Sequence, residues 1–168
     1  MTYLNNFKHA DDLVAHLNLV IPTIADPLLQ SKYIGFVSVS AVTVYELAVK
    51  EIFITFATKK HKVLGNFTGA YFDRINGRIK IKDIRSEYIS KFGSKYEKRF
   101  LRIIEHRSDE ILSTAKRDIR SAYNNLITWR NDFAHEGKLN ITATYAEVIQ
   151  SYEDGKEVIH CLAQTMTR

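Results

Sequence analysis

Arg130, Asn131 and His135 are the residues whose types and spacing could do chemistry. They fall in Trp129-Arg130-Asn131-Asp132-Phe133-Ala134-His135-Glu136-Gly137, which sets an arginine and a histidine five positions apart with an asparagine beside the arginine; no other segment gathers such groups. Histidine titrates near neutrality and can act as general acid or base. A fixed guanidinium can neutralise charge developing on a phosphate as a bidentate donor. The asparagine amide can orient the imidazole or donate to a phosphate oxygen. The spacing alone has a plainer reading, because cations before a glycine also complement the dipole of a helix C-terminus, with the glycine as its left-handed cap.

Position on the helix adds to the spacing. Taking about 100° per residue, Ile119, Tyr123, Leu126 and Phe133 share one apolar arc, and Arg130 lies in the middle of it. Arg117, Arg120, Asn124, Thr128, Asn131 and His135 follow at steps of three or four as a polar stripe, so Asn131 and His135 are neighbours while Arg130 is about 140° from His135. A buried guanidinium without a partner costs several kcal/mol. Glu46 is the candidate partner and support of the site: it is the gap in the apolar series Val39, Val42, Val49, Phe53 and Phe56 of an earlier helix. Snorkelling of Arg130 to a rim is the competing account. Arg130 and His135 can share one site only if the helix breaks near Ala134 or if two subunits share it.

The elements that must position these residues are helical throughout. A first helix is expected from about Asn6 to Val20. Asp26-Pro27 caps and starts a second to about Thr58, whose helical period over the long window outweighs the strand-like Val37-Ser38-Val39-Ser40-Ala41. Lys59-Lys60-His61-Lys62 ends it as a basic turn. Residues 60–82 are the least legible, with Gly69 and the turn dipeptide Asn76-Gly77 in short helical or irregular structure. A helix follows from Asp83 to Phe92, closed by Gly93. Ser94 to Glu97 reads as a capping box opening a helix to about His106. Ser108 or Thr114 caps the motif helix, and Thr144 to Glu147 is a second capping box before the last helix, in which Gly155 is a weak point. The sum is an all-α, up-and-down bundle of four or five main helices in a single domain, residues 1–168.

Composition bounds the function classes. A chain of 168 residues, 45% of them hydrophobic, buries a real core, and 2 Pro with 7 Gly suit long helices. The lone Cys161 excludes an internal disulfide; His61, His106 and His160 are isolated, so no metal site or cofactor is expected. No signal peptide is evident, Glu46, Lys50 and Glu51 interrupt the most apolar run, and the cytoplasm is the expected location. Net charge is +5, but Arg74 to Arg120 holds 14 basic and 7 acidic residues, +7 against −2 elsewhere. Such segregation suits a polyanion partner. Within it Lys95, Lys98, Arg99, Arg102 and His106 form a stripe at helical spacing, either a solvated face or a phosphate-contacting ridge.

Arg130-Asn131-Asp132-Phe133-Ala134-His135 resembles the R-x4-6-H motif of the HEPN superfamily, with the polar residue that pattern prefers, Asn131, directly after the arginine. The length, the all-helical layout and the motif's position before the last long helix are similar too. The resemblance implies a metal-independent endoribonuclease, a homodimer whose two motifs face one another across an RNA cleft. It implies catalytic roles for Arg130, Asn131 and His135; on that reading the basic residues Lys95, Lys98, Arg99, Arg102, Arg117 and Arg120 are expected to guide RNA. It also implies a toxin or defence effector paired with an antitoxin protein. Gly137 stands where one subgroup carries a tyrosine two positions after the histidine, so regulation through that tyrosine does not carry over. Two other classes remain: an inert module of the same fold that binds RNA, nucleotide or protein, and a structural dimerising bundle with Arg130 and Glu46 as a buried strut.

Overall fold

The computed structural model describes residues 2–137 and 143–167, and every regular element among them is helical. A 3-10 turn, Thr2–Phe7, leads into α1, Lys8–Val20. The remaining helices are α2, Pro27–Lys60; α3, Lys62–Phe72; α4, Ile81–Asp83; α5, Ser94–Ala115; α6, Ile119–Glu136; and α7, Tyr145–Thr165. The chain is all-α, as expected. Among the described residues no helix is long and apolar enough to cross a membrane.

The 34-residue α2 is the axis of the bundle. Asp26 starts it from an extended conformation, its carboxylate accepting the Leu28 N–H at 2.8 Å, with Pro27 in the first turn. Val37 and Ser38 are both buried, so helical packing on several sides overrides the β-branched run. Tyr45, halfway along, has no exposed surface. Its ring stacks on Tyr123 of α6 (centroids 5.4 Å apart) and on Tyr152 of α7 (5.9 Å), and its hydroxyl donates to the Tyr152 carbonyl. Gly155 lets that ring approach α7: a Cβ there would fall 2.5 Å from the Tyr45 hydroxyl oxygen. This glycine is a packing requirement rather than a weak point.

Contacts along α2 fix the directions of the other elements. Tyr123 meets Tyr45 while Phe133 meets Phe36, so α6 runs antiparallel to α2. Tyr96, at the start of α5, packs on Phe56, and Arg107 bonds Glu157 of α7 at 2.8 Å. Helices α5 and α6 therefore run the same way, one after the other, rather than alternating. Residues 62–92 make an excursion down α2 and back: Phe72 stacks on Phe53, and Phe92 returns to Phe53 and Phe56.

Several expected boundaries change. Residues 83–92 are not one helix; after α4 come a π turn, Ile84–Tyr88, and a 3-10 turn, Ile89–Phe92, which leave Ile84, Tyr88 and Ile89 all buried. The capping box at Ser94 does not form. Gly93, with φ 113°, occupies the cap position, and Glu97 pairs with Arg85 at 2.8 Å. Helix α5 continues past His106 to Ala115, ending at the left-handed Lys116. Ser108 is buried within it and Thr114 bonds back to the Glu110 carbonyl, so neither caps α6. The box from Thr144 to Glu147 is present, and its backbone and hydroxyl bonds hold the Glu147 carboxyl below the usual range.

Two glycines test this packing. Gly155→Ala is expected to lower stability by about 1–3 kcal/mol in urea unfolding, because Tyr45 is clamped between two rings and cannot yield. Gly69→Ala, inside α3 with nothing within 4 Å of its Cβ position, is expected to raise stability by about 0.5–1 kcal/mol.

Candidate active site

Asp118 starts the motif helix. From an extended backbone its Oδ1 accepts the N–H groups of Arg120 (2.9 Å) and Ser121 (3.2 Å), and its Oδ2 accepts the Ser121 hydroxyl at 2.6 Å. The Ser121 hydroxyl, helped by the two backbone donors, holds this carboxyl below the usual carboxylate range. Ile119, Tyr123 and Leu126 are fully buried, as their shared arc predicts. Gly137, with φ 67°, closes the helix as its N–H donates to the Phe133 carbonyl at 2.9 Å. The helix does not break at Ala134. Phe133 lies against Gly35, where a Cβ would fall 2.2 Å from the ring, and meets Phe36 edge-on at 5.5 Å.

Arg130 is half-buried, and its guanidinium turns along the surface: Nη1 donates to Asn131 Oδ1 at 2.9 Å. Its other face lies on Gly77, where a Cβ would fall 2.9 Å from Nη2. Asn131 is half-buried and His135, one turn further, is exposed. Asn131 thus stands between the arginine it bonds and the histidine it neighbours.

The loop under the guanidinium is held at three successive residues. The Gly77 N–H donates to Glu46 Oε2 at 2.7 Å; the Arg78 carbonyl accepts the Tyr88 hydroxyl at 2.6 Å; the Ile79 carbonyl accepts the Tyr123 hydroxyl at 2.7 Å. Burial raises both hydroxyls, Tyr88 to about 12, so both remain donors across the neutral range. Gly77 takes φ 70°, which a side chain would resist even without the arginine.

The ion pair expected between Glu46 and Arg130 does not form. Gly77 stands between them, and Glu46 pairs instead with Lys50, one turn along α2, at 2.8 Å. Glu46 supports Arg130 through the loop. The buried strut is therefore replaced by a bracket, and Arg130 follows the snorkelling account.

The basic residues expected to meet RNA are not gathered at the motif. Lys95, Lys98 and Arg102 are exposed and Arg99 half-buried on the first half of α5. That end packs on Phe56, whereas Arg130 lies over Gly77 and Glu46, ten positions or about 15 Å along α2, and Phe133 meets Phe36, twenty positions or about 30 Å away. Arg117 pairs with the buried Asp154 at 3.1 Å, and Arg120 Nε donates to Ser108 at 3.0 Å. The loop instead carries exposed Arg74, Arg78 and Lys80 beside Gly77. Sequence reading passed over these three individually; the signal was the turn dipeptide Asn76-Gly77 inside the basic segment. Among the described residues no three His, Cys, Asp or Glu side chains are grouped to hold a metal ion.

The bracket is testable in two ways. Gly77→Ala is expected to cost about 1–2 kcal/mol in urea unfolding, from the left-handed backbone. Glu46→Gln is expected to speed hydrogen exchange at the Gly77 amide by about tenfold, as a charge-assisted acceptor becomes neutral; unchanged exchange there would contradict the bracket.

Comparison with known proteins adds one match. No curated protein and no solved structure is significantly similar to the chain. The family model described as RiboL-PSP-HEPN matches residues 5–168, nearly the whole chain and all the elements that build the site, so the chain belongs to the RiboL-PSP-HEPN family.

Proposed function

We propose that the chain is a metal-independent endoribonuclease that works as a homodimer in the cytosol. The observation that carries this reading is the arrangement on α6: Arg130 and Asn131 joined at the surface by a 2.9 Å bond, with His135 exposed one turn on. Family membership supports it, since HEPN domains are often ribonucleases. In the reaction, His135 takes the proton of a ribose 2′-hydroxyl. The 2′-oxygen bonds to phosphorus, the bond from phosphorus to the 5′-oxygen breaks, and that oxygen takes a proton from water while His135 releases its own to solvent, giving a 2′,3′-cyclic phosphate and a 5′-hydroxyl. Arg130 neutralises the charge gathered on the non-bridging oxygens, and Asn131 keeps its guanidinium in place.

The unbroken α6 favours sharing between subunits. Arg130 and His135 project about 140° apart on one helix, so one subunit's arginine and the other's histidine meet a phosphate more readily across a two-fold axis. Leu28, Leu29 and Phe36 are exposed on the same end of α2 as Phe133, apolar surface suited to a second copy. Arg74, Arg78 and Lys80 flank the motif as phosphate contacts; Lys95, Lys98, Arg99 and Arg102 serve more distant RNA, and Arg117 and Arg120 chiefly hold α6 in place. A role as toxin or defence effector, held in check by an antitoxin protein, belongs to the same proposal.

A second reading is a binding module that does not cut. The packing of Arg130 on Gly77 and Asn131 favours it, because a guanidinium so engaged also has a structural use. Salt-dependent RNA binding with the RNA left intact would establish this alternative.

The deciding assay is cleavage of structured and unstructured RNAs in EDTA. Wild type is expected to cleave, and His135→Ala to lose about 10²–10⁴-fold in rate while remaining folded. Equal cleavage by both proteins, or none by folded wild type, would overturn the proposal.

A further inference from the structure

We propose that the cleft between α3 and the start of α5 docks an acidic amphipathic helix of a protein partner. The cleft measures about 550 Å³, and Phe56, Leu64, Phe67, Tyr71 and Phe92 form its walls. Helix α3 is apolar on two sides. Gly65, Thr68 and Phe72 are buried, Gly65 so closely that a Cβ would fall 2.3 Å from Thr58 Oγ1 of α2. On the opposite side Val63, Phe67 and Tyr71 recur every four residues and face solvent, Val63 at 67% and Phe67 at 70% exposure. An apolar helical stripe left this open marks an interaction surface.

Charge and polarity together define the occupant. The cleft has no carboxylate in its lining and has Lys60 and Lys91 at its mouth. Lys60 Nζ lies 5.4 Å from the Phe56 ring centre, Lys91 Nζ 5.5 Å from that of Tyr71, and Lys95 Nζ 5.9 Å from that of Tyr96. Ammonium groups around an apolar floor complement carboxylates flanking an apolar ridge. A nucleobase fits less well. The polar lining is confined to hydroxyls and these ammonium groups, and the Tyr88 hydroxyl is already bonded to the Arg78 carbonyl. A base edge there would meet only hydroxyls and ammonium groups, with no carboxylate or side-chain amide to read it, whereas leucine or phenylalanine side chains one helical turn apart need no polar partner. Phe56 of the cleft lies ten positions of α2, about 15 Å, from Glu46 beneath the contact between Gly77 and Arg130; none of the lining residues belongs to the motif, so the proposal does not depend on the ribonuclease reading.

The test uses fluorescence anisotropy with the full chain. One labelled peptide of about 18 residues carries Leu and Phe at i, i+3, i+4 and i+7 and Glu elsewhere; a second replaces each Glu by Lys; oligouridylate is the competitor. The acidic peptide is expected to bind, the Lys peptide not to bind, and oligouridylate not to displace it. Phe67→Ala and Lys60→Glu, both at exposed positions, are each expected to weaken binding at least tenfold with helical circular dichroism unchanged. Four results would overturn the proposal: no binding of the acidic peptide, binding insensitive to Phe67→Ala, displacement by oligouridylate, or self-association of the wild type that Phe67→Ala abolishes.

Discussion

Tyr45 is the interaction on which the structure depends. Its ring lies between those of Tyr123 and Tyr152 and against Gly155, setting the register of α2, α6 and α7 through one side chain. Three phenols buried side by side must each find an acceptor, because an unsatisfied hydroxyl in an apolar core costs free energy. Tyr45 donates to the Tyr152 carbonyl, Tyr152 to Asp11 of α1, and Tyr123 to Ile79 in the loop. The core thus reaches out to two peripheral segments, and one of them is the loop beneath Arg130. Packing and site are linked through the Tyr123 hydroxyl.

From that linkage the site acquires a fixed floor. Glu46, the residue after Tyr45, turns its carboxylate to the Gly77 amide, and Gly77 meets the guanidinium from the other side. An arginine that lay loose on the surface would lose rotamer entropy on meeting a phosphate; one already laid on Gly77 and bonded to Asn131 loses less. Electrostatic stabilisation depends on such preorganisation. The basic ridge on α5 and the aromatic cleft beside it lie toward the Phe56 end of α2, so the molecule presents a second surface, apolar with a lysine border, besides the one that carries the motif.

Local signals were legible in the sequence. Asp26-Pro27, Thr144 with Glu147, and Gly137 each act within a turn of chain, and each performs the expected capping role. The polar alignment of Asn131 with His135 and the burial of Ile119, Tyr123 and Leu126 also follow from helical period alone. What was not legible depends on contacts between distant segments. Glu46 is visible in the sequence as a charge in an apolar stripe, but besides Lys50 one turn along it bonds a backbone amide 31 positions away, which no side-chain pattern announces. Ser94 and Glu97 have capping-box identities, yet Arg85, brought near by the π turn, competes for the glutamate. Gly155 reads as a helix weakness until Tyr45 is placed against it.

Whether the two unlike faces of α6 act in one site shared by two subunits is the claim that most needs a direct answer. Co-expressed Arg130→Ala and His135→Ala chains, isolated as the mixed dimer and assayed on RNA in EDTA, provide it, since a shared site leaves one of two clefts intact. Each variant alone is expected to be inactive and the mixed dimer to recover about half of the wild-type rate. A mixed dimer that stays as inactive as its parents, while wild type cleaves under the same conditions, would contradict the shared site.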